Sequence, residues 1–173
     1  GQAHALMRKV TDFLKAWIRL QMETFPTIDG IFLLDDIIGF MGEREVRSFG
    51  LPYFRELYDF PVSIKFLHND APCKVCAPIL PEMGVNLFNM GYDVSLPDLQ
   101  ELTGHQVTLL GNLPPRDVLA SGSVDTVRRE TTAMLSNIED TRRIIPSCGG
   151  GMPPGVPSDN VRAFIEAVRS ASV

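Results

Sequence analysis

Short apolar runs alternate with stretches of helical periodicity along this chain, and the alternation restricts the folds open to it. Each run is only a few residues long and is bounded by polar residues, glycine or proline. Such runs are typical of strands buried on both faces of a parallel sheet. The alternation therefore predicts an α/β domain whose parallel sheet is covered by helices. The runs lie at residues 28–34, 61–67, 106–110 and 143–145, with a weaker one at either 85–88 or 92–95.

Helical periodicity accounts for much of the sequence between these runs. A helical stretch at about 43–58 is interrupted near Pro52, and the longest helix follows Ser123, a suitable N-cap. In the last helix the predicted apolar face consists of Val161, Phe164, Ile165 and Val168. The first helix carries its apolar residues at helical spacing, namely Leu6, Val10, Phe13, Leu14, Trp17 and Ile18.

Composition excludes several classes of partner. With 173 residues the chain suits one domain with a sizeable core. A net charge of −5 provides no basic surface, so nucleic acid and anionic membranes are not expected as partners. No apolar run in the sequence approaches the roughly 18 residues of a membrane span. The three cysteines are too few for a disulfide scaffold, and their odd number favours a reducing, cytoplasmic compartment.

Polar residues follow the predicted strands at their carboxyl ends. In parallel α/β folds this edge of the sheet collects the chemistry of the molecule. Taken singly, each residue is also explained by helix capping or by a bond to a loop amide, whereas the set together favours a site. We expect catalytic roles for Asp35, Asp36 and Asn112, the two aspartates by holding a polar substrate group or by orienting His68. The whole set is Asp35, Asp36, His68, Asp70, Asn112 and Cys148.

The segment RRIIPSCGGGMPPGVP, at the last predicted strand, combines a thiol with an unusual backbone. The glycines at 149–151 allow a sharp turn and a close approach to a ligand, while the prolines fix the path into the last helix. We expect Cys148 to point into a site at the sheet edge, and Gly149 and Gly150 to contact a cofactor. The alternative is that Cys148 is a small buried apolar residue in a turn.

Four stretches resemble the C-terminal half of the uroporphyrinogen decarboxylase superfamily, which includes the corrinoid-dependent methyltransferases. They are IDGIFLLDDIIGFMGEREVRSFGLPYFRELYD, SIKFLHND, VTLLGNLPP and IIPSCGGGMPPGVPSDNVRAFIEAV, in the family's order. The resemblance implies a (β/α)8 TIM barrel of roughly twice this length. Residues 1–173 would then form a single partial barrel domain with about the last five strands. Because half a barrel leaves open strand edges, we expect either a fragment of a longer protein or a half-barrel that pairs with another copy or another chain.

The resemblance is closer to the methyltransferase branch than to the decarboxylases. Methylcobamide:coenzyme M methyltransferases bind zinc through a His-x-Cys after one strand and a Cys after the last strand. His68 and Cys148 match the outer two ligands, and Asp70 replaces the middle cysteine; zinc also accepts carboxylate oxygen. The resemblance thus implies zinc held by His68, Asp70 and Cys148, activating a thiol for methyl transfer from a methyl-corrinoid. The implied partners are a corrinoid protein, or a corrinoid co-substrate, and a small-molecule methyl acceptor.

Two other functions stay open. True decarboxylases carry a Gly-His-Gly element near the last strand, and alignment by the following helix puts Gly150 at the position of that histidine. Decarboxylation of a porphyrinogen is therefore disfavoured, and a smaller carboxylate would require acid chemistry from the missing half. The other alternative is a non-catalytic half-barrel that serves as a binding or assembly module.

Cys73 and Cys76 form a C-x-x-C motif shortly after His68. Three explanations apply to this pair. Both thiols can pack the inner side of a short helix within residues 72–81, they can form a redox motif, or Cys73 can replace the missing middle zinc ligand.

Overall fold

The apolar runs form the strands of one parallel sheet. The structure is a computed structural model that describes residues 1–171. Within these residues five parallel strands pair in sequence order, each with the next along the chain. This arrangement confirms the prediction of an α/β fold with a parallel sheet. The strands are β1 Gly30–Leu34, β2 Ile64–Asn69, β3 Leu87–Met90, β4 Thr108–Leu113 and β5 Ile144–Cys148.

Helices precede, connect and cover the strands. In chain order the α-helices are α1 Gln2–Thr24, α2 Glu43–Glu45, α3 Leu51–Leu57, α4 Leu80–Met83, α5 Leu96–Leu102, α6 Val124–Ser136 and α7 Ser158–Ala171. A π-helical turn at Val46–Gly50 joins α2 to α3, close to the predicted interruption. Ser123 caps α6 by accepting a hydrogen bond from the Thr126 amide at 3.2 Å, as predicted.

The register of the sheet sorts its residues into two rows that face opposite sides. One row, which lies in the main hydrophobic core, consists of Leu33, Leu67, Phe88, Leu109 and Ile144. The adjacent row faces the other, more exposed side and consists of Leu34, His68, Asn89, Leu110 and Ile145. The core row fixes which polar side chains reach the open face, because successive residues of a strand point to opposite faces.

The strands extend further toward their carboxyl ends than the apolar runs do. β2 ends at Asn69 instead of residue 67, and β4 ends at Leu113 instead of residue 110. The reason is that the buried amides at these ends have partners: Asn69 Oδ1 accepts from the Ala71 amide at 2.7 Å, and Asn112 Nδ2 donates to the Val94 carbonyl at 2.7 Å. The weak strand is β3, and residues 92–95 form the turn before α5.

Two predicted helix faces need correction. On α1, Ile18 is buried, whereas Phe13 is 67% exposed and Trp17 is 50% exposed, so much of its apolar face is not covered. On α7, Ile165 is 41% exposed, and the buried positions are instead Asn160, Ala163 and Ala167. The small alanines let α7 approach α6 closely, and this contact leaves Ile165 outside the interface.

Among the described residues, no helix combines the length and the apolar character that crossing a membrane requires.

Candidate functional site

His68 is held from several directions on the open face of the sheet. It lies near the end of β2, and its side chain is 17% exposed. Its Nδ1 is 2.7 Å from Asn89 Oδ1, and its Nε2 is 3.4 Å from Asp70 Oδ2. The Phe32 ring meets the imidazole edge-on, with centroids 6.3 Å apart. These contacts fix the plane of the ring and direct Nε2 toward Asp70.

Asn89 is a site residue that the sequence reasoning missed. It lies on β3 beside His68 in the register and is 4% exposed. Its Nδ2 donates to the Leu110 carbonyl at 2.6 Å and approaches the Cys148 carbonyl at 3.4 Å. The available signal was a single amide inside the apolar run that forms β3, since a buried polar group requires partners.

Asp70 lies between the loops that follow β1 and β5. Its backbone amide donates to Asp36 Oδ1 at 2.7 Å, and its carboxylate lies against Gly150. Gly150 has φ +75°, and a Cβ at this position would overlap the Asp70 carboxylate. The carboxylate thus occupies the space that a side chain at position 150 would need.

Asp35 and Asp36 are brought to the same edge of the sheet, and each uses a carboxylate oxygen on a backbone amide. Asp35 Oδ1 accepts from the Ile38 amide at 3.1 Å, which stabilises the 3-10 helix that begins at residue 37. The Asp35 amide itself donates to the His68 carbonyl at 3.0 Å. These bonds match the capping explanation and also join the ends of β1 and β2. The catalytic roles predicted for both residues stay predictions.

Asn112 and Gly149 join the next strand ends. Asn112 is 7% exposed, and its Nδ2 donates to the carbonyls of Val94, at 2.7 Å, and Gly91, at 3.4 Å. The Gly149 amide donates to the Leu113 carbonyl at 2.8 Å, and a Cβ on Gly149 would lie 3.1 Å from the Gly91 carbonyl carbon. Asn112 therefore ties the end of β4 to the loop after β3, and Gly149 ties the end of β5 to β4.

The Cys148 side chain points away from the open face of the sheet, whereas the sequence predicted that it points into a site at the sheet edge. Cys148 ends β5 opposite Leu113, on the side of the sheet that faces α6 and α7, and it packs against a small apolar cluster there. Its Sγ donates to the Gly150 carbonyl at 3.4 Å. Burial raises the pKa of this thiol above its ordinary value, and the nearby Asp70 carboxylate raises it further. The reason is that successive side chains of a strand point to opposite faces. Cys148 points to the same side of the sheet as Ile144, which faces the core, whereas His68 is in the row that faces the open side.

Cys73 and Cys76 are fully buried in the main core. Burial raises the pKa of Cys73 to about 12 and that of Cys76 to about 11, so both are thiols at neutral pH. Their burial agrees with the packing explanation rather than with a redox or ligand role.

Comparison with known proteins places this arrangement in a family. The uroporphyrinogen decarboxylase (URO-D) family profile matches residues 1–171. The chain belongs to the uroporphyrinogen decarboxylase family. Its sheet corresponds to part of the TIM barrel of this URO-D fold.

Two of the similar proteins are named as decarboxylases and one as a methyltransferase. The uroporphyrinogen decarboxylase of Campylobacter fetus subsp. fetus is 26% identical over 98% of this chain and 48% of its own length. That of Chlorobium phaeobacteroides is 25% identical over 99% of this chain and 50% of its own length. A solved methyltransferase from Methanosarcina mazei superposes with a TM-score of 0.72 at 21% identity, covering 85% of this chain and 43% of its own. The chain therefore spans about half the length of the relatives it matches.

The zinc site implied for this URO-D chain can be tested against the geometry. Among the described residues, no three His, Cys, Asp or Glu side chains converge as a metal site. His68 Nε2 and Asp70 Oδ2, however, are 3.4 Å apart. A tetrahedral zinc with bonds of about 2.0–2.2 Å would hold two such donors roughly 3.4 Å apart. The imidazole and the carboxylate therefore fit zinc, whereas the Cys148 thiol is directed at the Gly150 carbonyl.

Proposed function

We propose that this chain is part of a corrinoid-dependent methyltransferase of the URO-D family rather than of a porphyrinogen decarboxylase. The contact between Asp70 and Gly150 carries the proposal. By the resemblance described above, the decarboxylase histidine would fall at position 150, where the φ of +75° and the Asp70 carboxylate leave no room for a side chain. The same carboxylate lies beside His68 Nε2. The Asp70 carboxylate, one of the two proposed metal ligands, thus occupies the space of the decarboxylase residue.

The residues of the site have separate parts in this proposal. His68 and Asp70 would hold zinc. Cys148, whose thiol is directed at the Gly150 carbonyl in this structure, is the proposed third ligand and would have to turn toward the metal. Zinc bound there would favour the thiolate form of an acceptor thiol at neutral pH. Asn89 and Phe32 hold the His68 ring, and Asp36 fixes the backbone of Asp70.

The open face beside His68 offers an apolar surface for the reactants. Leu34 pairs with His68 in the register and is 66% exposed, and Phe32 is 51% exposed. Apolar side chains beside a bound metal ion lower the local dielectric constant and strengthen its electrostatic effect. This surface suits the flat, largely apolar face of a corrinoid, bound as co-substrate or carried by a partner protein.

Zinc analysis and a methyl-transfer assay on the whole protein test the proposal. We expect about one zinc per chain in the wild type, and loss of that zinc in His68→Ala and Cys148→Ala. We also expect transfer of a methyl group from methyl-cobalt(III) corrinoid to a thiolate, giving a thioether and cobalt(I). His105→Ala is the matched control, because His105 is an exposed histidine bonded to Glu101, before β4 at the opposite edge of the sheet.

The names of the curated relatives favour a second candidate, decarboxylation. Release of carbon dioxide from a porphyrinogen or a smaller carboxylate, without zinc and without methyl transfer, would establish that activity instead. If the protein has no zinc and neither activity, the binding or assembly module becomes the better explanation, and Cys148→Ala would then leave its behaviour unchanged.

A further inference from the structure

We propose that Asn89 is a positioning residue that fixes the tautomer of His68, with the proton on Nδ1 and a lone pair on Nε2. Asn89 would thereby prepare Nε2 to bind a divalent cation beside Asp70. The tautomer follows from the contacts of Asn89 alone, and only the identification of the cation as zinc rests on the proposed function.

The orientation of the Asn89 amide is determined by two carbonyl groups. Its Nδ2 lies 2.6 Å from the Leu110 carbonyl and 3.4 Å from the Cys148 carbonyl. Rotating the amide by half a turn would bring Oδ1 against both carbonyl oxygens, which is unfavourable for a side chain that is 4% exposed. Oδ1 must therefore face His68.

The orientation of Asn89 in turn determines the protonation of the imidazole. An amide oxygen only accepts hydrogen bonds, so His68 Nδ1, at 2.7 Å, must be the donor. In a neutral imidazole the other nitrogen is then an acceptor. Nε2 consequently presents its lone pair to Asp70 Oδ2 at 3.4 Å.

Two acceptors this close are favourable only when positive charge lies between them, either the second proton of an imidazolium, which the spectra below test, or a metal cation. A divalent cation meets this requirement, because it binds the imidazole lone pair and the carboxylate together. A histidine ligand with its second nitrogen hydrogen-bonded has a fixed ring orientation and a more basic donor atom. Asn89 also links β2, which carries His68, to β4 and β5 through its carbonyl contacts, so these strands determine the direction of Nε2.

Nitrogen NMR of the metal-free protein, labelled with ¹⁵N at histidine, tests the tautomer directly. At a pH where histidine side chains are ordinarily neutral, we expect His68 as the Nδ1–H form in the wild type. Asn89→Leu removes the acceptor, and we expect His68 to change to the Nε2–H form, which can donate to Asp70. Asn89→Asp retains an acceptor for Nδ1–H and is expected to keep the wild-type tautomer, at a cost in stability because its second carboxylate oxygen faces the Leu110 carbonyl.

Asn69→Leu is the matched control, because Asn69 is an equally buried amide on β2 that contacts Cys76 and Ala71 instead of His68. It is expected to leave the His68 tautomer unchanged. An Nε2–H or doubly protonated His68 in the wild type would overturn the proposal, and so would an unchanged tautomer in folded Asn89→Leu. If Asn89→Leu does not fold, the wild-type and Asn89→Asp spectra decide.

Zinc affinity, measured by competition with a chromogenic chelator, separates this inference from the proposed function. We expect Asn89→Leu to bind zinc roughly 10- to 100-fold more weakly than the wild type. Equal affinities would contradict the positioning role. A wild type without zinc affinity but with the Nδ1–H tautomer would remove the proposed function and still confirm that Asn89 fixes His68.

Discussion

The contact between Gly150 and Asp70 makes position 150 sensitive to any side chain. Gly150→Ala is expected to lower the free energy of unfolding by more than the roughly 1–3 kcal/mol that backbone strain alone costs. The positive φ is strained for alanine, and in addition the Cβ must displace the Asp70 carboxylate. Urea denaturation measures the loss.

Gly155→Ala provides the control for this substitution. Gly155 also has a positive φ, of +81°, but nothing lies within 4 Å of the position of its Cβ. We expect only the backbone cost, roughly 1–2 kcal/mol. Equal losses at positions 150 and 155 would show that the carboxylate moves away without cost.

The sequence predicted which residues lie at the carboxyl edge of the sheet better than it predicted the directions of their side chains. His68 and Asp70 lie together at this edge because the carboxyl ends of parallel strands meet there. The face to which Cys148 points depends on its position in the alternation of side chains along β5. The glycines that follow the strand do not indicate this position. The role of Asn89 depends on partners from three other strands, and no local pattern encodes these.

Among the helices, α1 is attached to α3 through a group of charged and aromatic contacts. Nη1 and Nη2 of Arg8 each donate to Glu56 at 2.7 Å, and Lys15 adds a bond at 3.1 Å. His4 Nδ1 lies 2.8 Å from the Tyr53 hydroxyl. The Arg8 side chain holds the pKa of Glu56 at about 2, well below its ordinary value of 4.5.

This attachment predicts a pH-dependent effect of Glu56→Gln. Because the pKa of Glu56 is lowered in the folded state, the pair stabilises fully above about pH 4.5, and this stabilisation is lost as the pH falls toward about 2. Glu56 is partly exposed, so we expect a loss of only about 0.5–1 kcal/mol in unfolding free energy near pH 7. Urea denaturation at neutral and at acid pH measures the difference.

The matched control is Glu166→Gln on α7. Glu166 makes a single exposed bond to Arg128 of α6, at 2.9 Å, and a smaller loss is expected. If the loss in Glu56→Gln were the same at neutral pH and near pH 2, the charge of Glu56 would not be its cause.

Element types were more predictable than element boundaries. The alternation of apolar runs and helical periodicity predicted β1 to β5 and α6 because burial selects those patterns. The boundaries differed where buried amides such as Asn69 and Asn112 continued a strand beyond its apolar residues. The exposure of the apolar face of α1 was also not predicted. Helical periodicity identifies an apolar face but not the element that covers it.

In the whole molecule, the open edge of β1 and the exposed side of α1 lie next to each other. A groove between them is lined by Trp17, Ile31 and Phe32. Since β1 is an edge strand of the described sheet, its free backbone groups can pair with another strand. We propose that a second copy of the chain covers this groove.

The chain on its own is therefore expected to self-associate. Trp17→Glu introduces a charge where a tryptophan would be buried, so we expect at least about tenfold weaker association. Sedimentation velocity over a range of concentrations measures this change. Ile165→Glu, at an exposed apolar position on α7, is the control, and a monomeric wild type or an equal effect of both variants would contradict the expectation.

The hydrogen bonds between neighbouring strand ends have a consequence for engineering. In many barrels the loops after the strands are treated as interchangeable modules that change the reaction without changing the scaffold. Here Asp36 bonds the backbone at Asp70, Asn112 bonds the loop after β3, and Asn89 bonds the strand that carries Cys148. A loop transplanted alone would leave its neighbour without a partner, so productive grafts from relatives will have to exchange adjacent loops together.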